Sequence, residues 1–241
     1  MMRAVVAAVL AASVGCLPAA AEDAGTSQDA AACNAPYLNP DDAIAACMRL
    51  MPVLGPKQQA RAYVNIGFAH FKRHRFDEAI AAYDTALSLS PNDAKAFNSR
   101  GQLHRAKFEF AAAIADFTSA IDRDQKDVEA FGNRCQARAE ADTELAAALD
   151  DCDTALRLYP GDGLAFGQRA LVLLRMGKFA DAIAGYDKGI AAEPDTAAFF
   201  FGRGIAKARS GDKAGSDADV AAARQMDDTI GARFANLGLA P

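Results

Sequence analysis

Apolar residues recur at intervals of three and four along most of the chain, which is the period of an amphipathic α-helix. The pattern is clearest over residues 60–93, where two apolar-striped segments flank a basic stretch at residues 72–75 and Pro91 closes the second. Basic turns and prolines of this kind end helices. Residues 60–93 are therefore predicted to form two short helices joined by a tight turn.

The same pattern returns four more times along the chain. Aromatic residues mark the period of 34 or 35 residues, at Tyr63, Phe97, Phe131, Phe166 and Phe200. The five copies, called repeats one to five, are residues 60–93, 94–127, 128–162, 163–196 and 197–230. Small residues recur at the eighth, twentieth and twenty-seventh positions, where two helices would cross closely. One hairpin cannot bury its apolar face alone, so we expect neighbouring repeats to stack.

A period of 34 residues with helix–turn–helix content resembles the tetratricopeptide repeat family, and the resemblance covers residues 60–230. It implies an all-α fold, a right-handed α-α superhelix (solenoid) of about five helical hairpins. Residues 22–59 are expected to begin with a loosely ordered stretch at 22–32 and to add a half-repeat capping helix after Asn39, which is followed by acidic residues. Residues 231–241 are predicted to form a short C-terminal capping helix.

The first residues have the pattern of a secretory signal peptide. A basic Arg3 precedes an apolar run over residues 4–17, and three alanines at 19–21 precede Glu22. We predict a signal peptide at residues 1–21, cleaved after Ala21, because the apolar run is shorter than the ~20 residues of a membrane span. An uncleaved anchor and a lipoprotein modified at Cys16 are the alternatives. The mature chain is predicted to contain no membrane span and to be periplasmic or secreted.

Export changes the interpretation of the four cysteines that remain after cleavage, because thiols pair in oxidising compartments. Cys135 and Cys152 both depart from the repeat pattern, within the two helices of repeat three, which also carries one extra residue. We predict a disulfide between them and, by default, one between Cys33 and Cys47. Buried free thiols and a redox pair are the alternatives, since four cysteines allow three connectivities.

Arginine occupies the seventh position of repeats two to five, where the resembling family is usually apolar. These residues, Arg100, Arg134, Arg169 and Arg203, are called the arginine ladder. An arginine at a packing position needs a partner, and Asp116, Asp151 and Asp219 at the twenty-third position could supply it. We predict structural Arg–Asp pairs between helices, with a row of anion-binding arginines as the alternative.

In the resembling family, the first helix of each hairpin lines a groove that takes peptides or partner helices. The groove positions implied for this chain are Asn65, Asn98, Ser99, Gln102, Asn133, Gln136, Gln168, Leu171, Phe201 and Ile205. Side-chain amides offer a donor and an acceptor, as a peptide backbone requires. The apolar end at repeat five would hold a hydrophobic side chain. The alternative is that the amides are surface groups that bond between helices.

These observations predict a non-enzymatic interaction scaffold that binds a protein or peptide, with self-assembly into a homo-oligomer as the alternative. The net charge of −5 argues against nucleic acid as a partner. No catalytic motif is found, and the array leaves few residues for a second domain. His70 and His104 share the eleventh position of repeats one and two, but repeat three has Arg138 there, so we predict no metal and no cofactor.

Overall fold

The computed structural model describes residues 24–241, so the predicted signal peptide at residues 1–21 lies outside the described residues. The described residues form thirteen α-helices and one 3-10 turn, with no β-strand among them. The prediction of an all-α helical repeat fold is confirmed. The chain divides into two compact units, of which the first ends at Pro91 and the second is Asn92–Pro241.

In the first unit, each helix packs against the next one along the chain. The helices are α1 Ala24–Cys33, α2 Pro40–Leu50, α3 Pro56–Lys72 and α4 Phe76–Leu89, with the 3-10 turn Met51–Val53 after α2. Asn39 caps α2 by accepting a hydrogen bond from the Asp42 backbone N–H at 3.4 Å. The loose order expected from residue 24 onward is wrong, because α1 packs on α2 and buries Cys33 against it.

In the second unit, four helical hairpins follow one another, and a short helix ends the chain. The helices are α5 Ala94–Ala106, α6 Phe110–Arg123, α7 Val128–Glu140, α8 Leu145–Leu158, α9 Gly163–Arg175, α10 Phe179–Ala192, α11 Ala197–Arg209, α12 Lys213–Met226 and α13 Ile230–Asn236. Asp93, Asp127 and Asp162 start α5, α7 and α9, because each carboxylate accepts a hydrogen bond from a backbone N–H of the first turn.

The turn inside each hairpin needs a residue with left-handed backbone geometry. Phe108, Gly177 and Gly211 each provide one in hairpins α5–α6, α9–α10 and α11–α12. The α7–α8 turn, which contains the extra residue of repeat three, uses two such residues, Asp142 and Glu144. The insertion is therefore absorbed in the turn, and both helices keep the lengths found in the neighbouring hairpins.

Two disulfide bonds join the cysteine pairs that the sequence favoured. Cys33 bonds to Cys47 and Cys135 bonds to Cys152, and all four residues are buried. In the α5–α6 hairpin the places of Cys135 and Cys152 are taken by Gly101 and Phe117, and a Cβ on Gly101 would lie 2.7 Å from the Phe117 ring. The second disulfide therefore replaces a close glycine–aromatic contact between the two helices of a hairpin.

The C-terminal helix α13 packs against both helices of the last hairpin. Its Phe234 lies over Phe201 of α11, with ring centroids 4.9 Å apart, and Ile230 and Leu239 are almost completely buried. Residues 230–239 thus extend the main core of the second unit, as expected for a cap. Among residues 24–241, no helix combines the length and hydropathy that crossing a membrane requires.

Candidate functional site

The first helices of the four hairpins in the second unit form one continuous face. In this unit α5 contacts α7, α7 contacts α9 and α9 contacts α11. We call this row the first-helix face. It carries the predicted groove residues from Asn98 to Ile205, whereas Asn65 belongs to α3 in the first unit and donates a hydrogen bond to Asn34 there at 3.3 Å.

The predicted amides of the second unit bond mainly to one another and to nearby carboxylates. Asn133 Nδ2 donates to Asn98 Oδ1 at 3.0 Å, which links α7 to α5. Gln168 Nε2 donates to Gln136 Oε1 at 3.2 Å, which links α9 to α7. The amides therefore hold neighbouring repeats together, as the alternative interpretation predicted. Asn98 is buried, and Ser99 and Gln102 on α5 are partly buried.

The first-helix face also contains a cavity of about 520 Å³, which is within the ~300–1,000 Å³ range of ligand pockets. Three predicted groove residues line it, namely Gln136, Gln168 and Leu171. Most of the remaining wall is apolar, and half of the Phe108 and Leu164 side chains is exposed, at 48% and 50%. The other lining residues are Arg105, Ala106, Glu140, Gly167, Tyr186, Thr196, Ala198, Phe199, Arg233, Phe234 and Leu237.

A short polar network crosses one wall of the cavity. Glu140 Oε1 accepts hydrogen bonds from Gln136 Nε2 at 2.8 Å and from an Arg105 terminal nitrogen at 2.9 Å. The Arg105 Nε atom is buried and has no hydrogen-bond partner among the described residues. Burial raises the pKa of Tyr186, so its phenol stays neutral at physiological pH. The wall thus presents one acid, held by Gln136 and Arg105, and one unsatisfied donor.

The C-terminal segment forms the opposite wall because Arg175 anchors it. The Arg175 guanidinium donates to the Leu237 carbonyl at 2.6 Å and to the Ala139 carbonyl at 2.9 Å, so it joins the tail to the end of α7. Sequence reasoning placed Leu237 and Phe234 on the end of repeat five but did not place them in a site. Their apolar spacing was the available signal, whereas the anchoring by Arg175 has no sequence signature.

Two predicted groove residues are not on an open surface. Phe201 and Ile205 are 2% and 0% exposed, because α13 and residues 237–239 cover this part of α11. The apolar end of the groove expected in repeat five is therefore part of the core, and the open apolar surface lies one repeat earlier, at Leu164. Leu171 is also nearly buried, at 7%, although it borders the cavity.

The arginine ladder forms the predicted pairs in three of its four members. Two nitrogens of each arginine bind both oxygens of an aspartate on the second helix of the same hairpin, at 2.6–2.9 Å, in the pairs Arg100–Asp116, Arg134–Asp151 and Arg203–Asp219. Burial would raise the pKa of Asp219, but hydrogen bonds from Arg203 and Lys207 lower it overall. Arg169 binds Asp153 of the preceding repeat instead, at 2.6 Å.

The two histidines at the eleventh position have separate surroundings. Burial lowers the pKa of His70, which favours its neutral form. His104 lies 2.6 Å from Glu109, and this hydrogen bond lowers the pKa of the Glu109 carboxyl. Within residues 24–241, no three histidine, cysteine, aspartate or glutamate side chains are grouped closely enough to hold a metal ion.

Comparisons with solved structures identify the class of this fold. A tetratricopeptide repeat protein from Parabacteroides merdae superimposes with a TM-score of 0.70 at 16% identity and covers 88% of each chain. MamA gives a TM-score of 0.56 at 24% identity, over 76% of this chain and 97% of MamA. YrrB, a tetratricopeptide repeat protein with an unusual peptide-binding site, gives 0.52 at 20% identity, over 70% and 87%. The chain is thus a helical repeat protein.

Family models define the class further. Two models described as tetratricopeptide repeat match residues 60–93 and residues 168–228. The first match has the same bounds as repeat one, and the second extends from α9 to α12. The chain therefore belongs to the tetratricopeptide repeat family. No match was found among curated protein sequences.

Proposed function

We propose that the protein is an exported, non-enzymatic scaffold that binds a segment of a partner protein on the first-helix face of residues 92–241. The observation that carries the proposal is the cavity of about 520 Å³, which combines exposed Phe108 and Leu164 with a polar wall. A large side chain that fills such a pocket is the usual source of binding energy in a peptide complex. Tetratricopeptide repeat proteins generally act as non-enzymatic scaffolds, and the peptide-binding site described for YrrB supports this use of the fold.

The polar wall suits the backbone of a bound segment. The unsatisfied Arg105 Nε is a donor that a ligand carbonyl could accept from, and leaving such a donor buried costs ~1–3 kcal/mol. The amides of Gln136 and Gln168 lie on the same wall. Export is supported by the signal-peptide pattern of residues 1–21 and by the two disulfides, which persist in oxidising compartments. We place the mature protein in the periplasm.

A pull-down from cell-envelope extract tests the site with two substitutions chosen for tolerance. Leu164→Asp puts a carboxylate in the first turn of α9, where it is favourable, and Phe108→Asp keeps a residue type that accepts left-handed geometry. Each places a charge in the apolar mouth, so recovery of the partner should fall at least tenfold. Tyr159→Asp is the matched control, because Tyr159 is 59% exposed and lies outside the cavity.

Equal partner recovery with Leu164→Asp and the wild type would refute the site. Light scattering over a range of concentrations separates partner binding from the alternative of self-assembly, in which the exposed apolar mouth would meet another copy. A mass that rises with concentration in the wild type and stays monomeric in Leu164→Asp would favour self-assembly. A constant monomer mass favours a different partner.

A further inference from the structure

The arginine ladder follows a fixed arrangement in the second unit, with two partners for each arginine. The first is the bidentate aspartate of the same hairpin, at the twenty-third position. The second comes from the twenty-fifth position of the preceding repeat: Arg134 donates to Thr118 Oγ1 at 3.1 Å, and Arg203 donates to Asp187 Oδ1 at 2.6 Å. A basic residue at the eleventh position also reaches the bidentate aspartate, as Lys207 reaches Asp219 at 2.9 Å.

Repeat four keeps the arginine but lacks the first partner. Gly185 occupies the twenty-third position, and Leu173 replaces the basic residue of the eleventh. Arg169 keeps only the second partner, Asp153, which its Nε contacts at 2.6 Å. Within residues 24–241 its two terminal nitrogens have no hydrogen-bond acceptor, and both side chains of the pair are partly exposed, at 34% and 48%. The fork that binds an aspartate in three other hairpins is therefore unfilled here.

A second cavity of about 520 Å³ lies where the missing aspartate would be, between α8, α9 and α10. Three cationic side chains line it, namely Arg169, Lys178 and Lys188, against a single acid, Asp181. Lys188 stays beside the Phe166 ring, with its Nζ 5.4 Å from the centroid. The rest of the wall is apolar and includes Leu149, Leu156 and Leu173. The lining thus has an excess of positive charge next to aliphatic surface.

Packing explains the glycine but not the retained arginine. A Cβ on Gly185 would lie 3.0 Å from the Ala170 Cβ, which is a tight contact. In the α11–α12 hairpin, a glycine at the equivalent of Ala170 leaves room for Asp219, whose Cβ would lie 3.4 Å from a Cβ on Gly204. Small and larger residues have therefore exchanged sides in repeat four. Nothing in that exchange requires an arginine whose terminal nitrogens have no partner.

We propose that this cavity binds a carboxylate ligand with an aliphatic stem. The carboxylate would occupy the position of the missing aspartate and accept hydrogen bonds from Arg169, a geometry that arginine forks favour. Lys178 and Lys188 add attraction, and the stem would lie on the leucine surface. The carboxylate could come from a free aliphatic acid or from a glutamate flanked by leucines in a peptide. This site does not depend on the first-helix face.

Isothermal titration of the full mature chain tests the proposal with defined probes. Octanoate should bind, whereas 1-hexanol, which has an aliphatic stem but no charge, should not. A capped peptide with one glutamate between leucines is titrated in parallel, and whichever of the two acids binds more tightly identifies the source. Failure of both acids to bind at millimolar concentration, or equal binding of octanoate and 1-hexanol, would overturn the proposal.

Variants locate the binding. Arg169→Gln should weaken the bound acid at least tenfold. Ala170→Gly/Gly185→Asp restores the arrangement of the α11–α12 hairpin, so its own aspartate should occupy the arginine and abolish binding. Ala170→Gly/Gly185→Ala makes the same steric exchange without the carboxylate and should bind like the wild type. Unchanged affinity in Arg169→Gln, or in the aspartate variant, would overturn the assignment; circular dichroism of each variant verifies folding.

Discussion

The disulfide of the α7–α8 hairpin allows a quantitative prediction, because a neighbouring hairpin shows what it replaces. Cys135 and Cys152 are 17 residues apart, and closing a loop of that length removes ~3 kcal/mol of denatured-state entropy in the chain-entropy model. Cys135→Ala/Cys152→Ala should therefore lose about 3 kcal/mol of unfolding free energy. Both sulfurs are buried, so the small side chains also leave a gap that adds to the loss.

A second variant replaces the bond by the packing of the α5–α6 hairpin. Cys135→Gly/Cys152→Phe recreates the contact of Gly101 with Phe117, which is completely buried. Burying a phenylalanine side chain stabilises by ~1.5–3 kcal/mol, so this variant should recover most of the loss. The two variants thus separate the contribution of the covalent bond from that of the volume it fills.

Urea denaturation followed by circular dichroism at 222 nm is the suitable assay, since the chain contains no tryptophan. Repeat arrays can unfold in stages, so amide hydrogen exchange should accompany it and should show faster exchange confined to residues 128–162 and their immediate neighbours. The reasoning fails if the alanine pair unfolds at the same urea concentration as the oxidised wild type. It also fails if the glycine–phenylalanine pair is less stable than the alanine pair.

Three further predictions test the packing and the charges. Asp219 has a folded-state pKa below its unfolded value of ~3.9, so its stabilisation is complete above that value and is lost as pH falls through the folded pKa. Asp219→Asn should accordingly be less stable than the wild type at pH 7 and approach it below pH ~3 in thermal unfolding scans. Phe234→Ala should cost ~3–5 kcal/mol by urea denaturation, because Phe234 is buried against Phe201, and wild-type stability would show that α13 is not packed there. Gly101→Ala should cost ~1–3 kcal/mol because of the Phe117 ring, whereas Gly161→Ala meets nothing within 4 Å and should be neutral or slightly stabilising; equal melting temperatures for the two variants would contradict this contact.

The sequence allowed the hairpins to be placed because their signals are local and repeated. Helical period, turn residues and the regular aromatic positions all recur with the 34-residue spacing, so five copies support one another. The disulfide in repeat three was accessible for the same reason, since two cysteines interrupted an otherwise regular pattern. The helix α1 was missed because its small and polar residues have almost no amphipathic stripe, and it is held by packing on α2.

The candidate sites were less predictable because they depend on contacts between distant residues. Gln136, Gln168 and Leu171 were expected on the first-helix face, but the burial of Phe201 and Ile205 follows from the return of α13 over α11. The anchoring of Leu237 by Arg175 joins residues 62 apart in the sequence and repeats nowhere else. By contrast, the replacement of aspartate by Gly185 is visible in the repeat alignment, although the cavity beside it is not.

Both disulfides join cysteines that are consecutive among the four of the described residues, with separations of 14 and 17. The shortest alternative pairing of Cys33, with Cys135, would close a loop of ~100 residues, which costs about 2 kcal/mol more in closure entropy. Oxidation in the order of the sequence therefore yields the native connectivity directly. A nascent chain can acquire each covalent link as soon as one pair of helices has been completed, and it needs no later reshuffling by an isomerase.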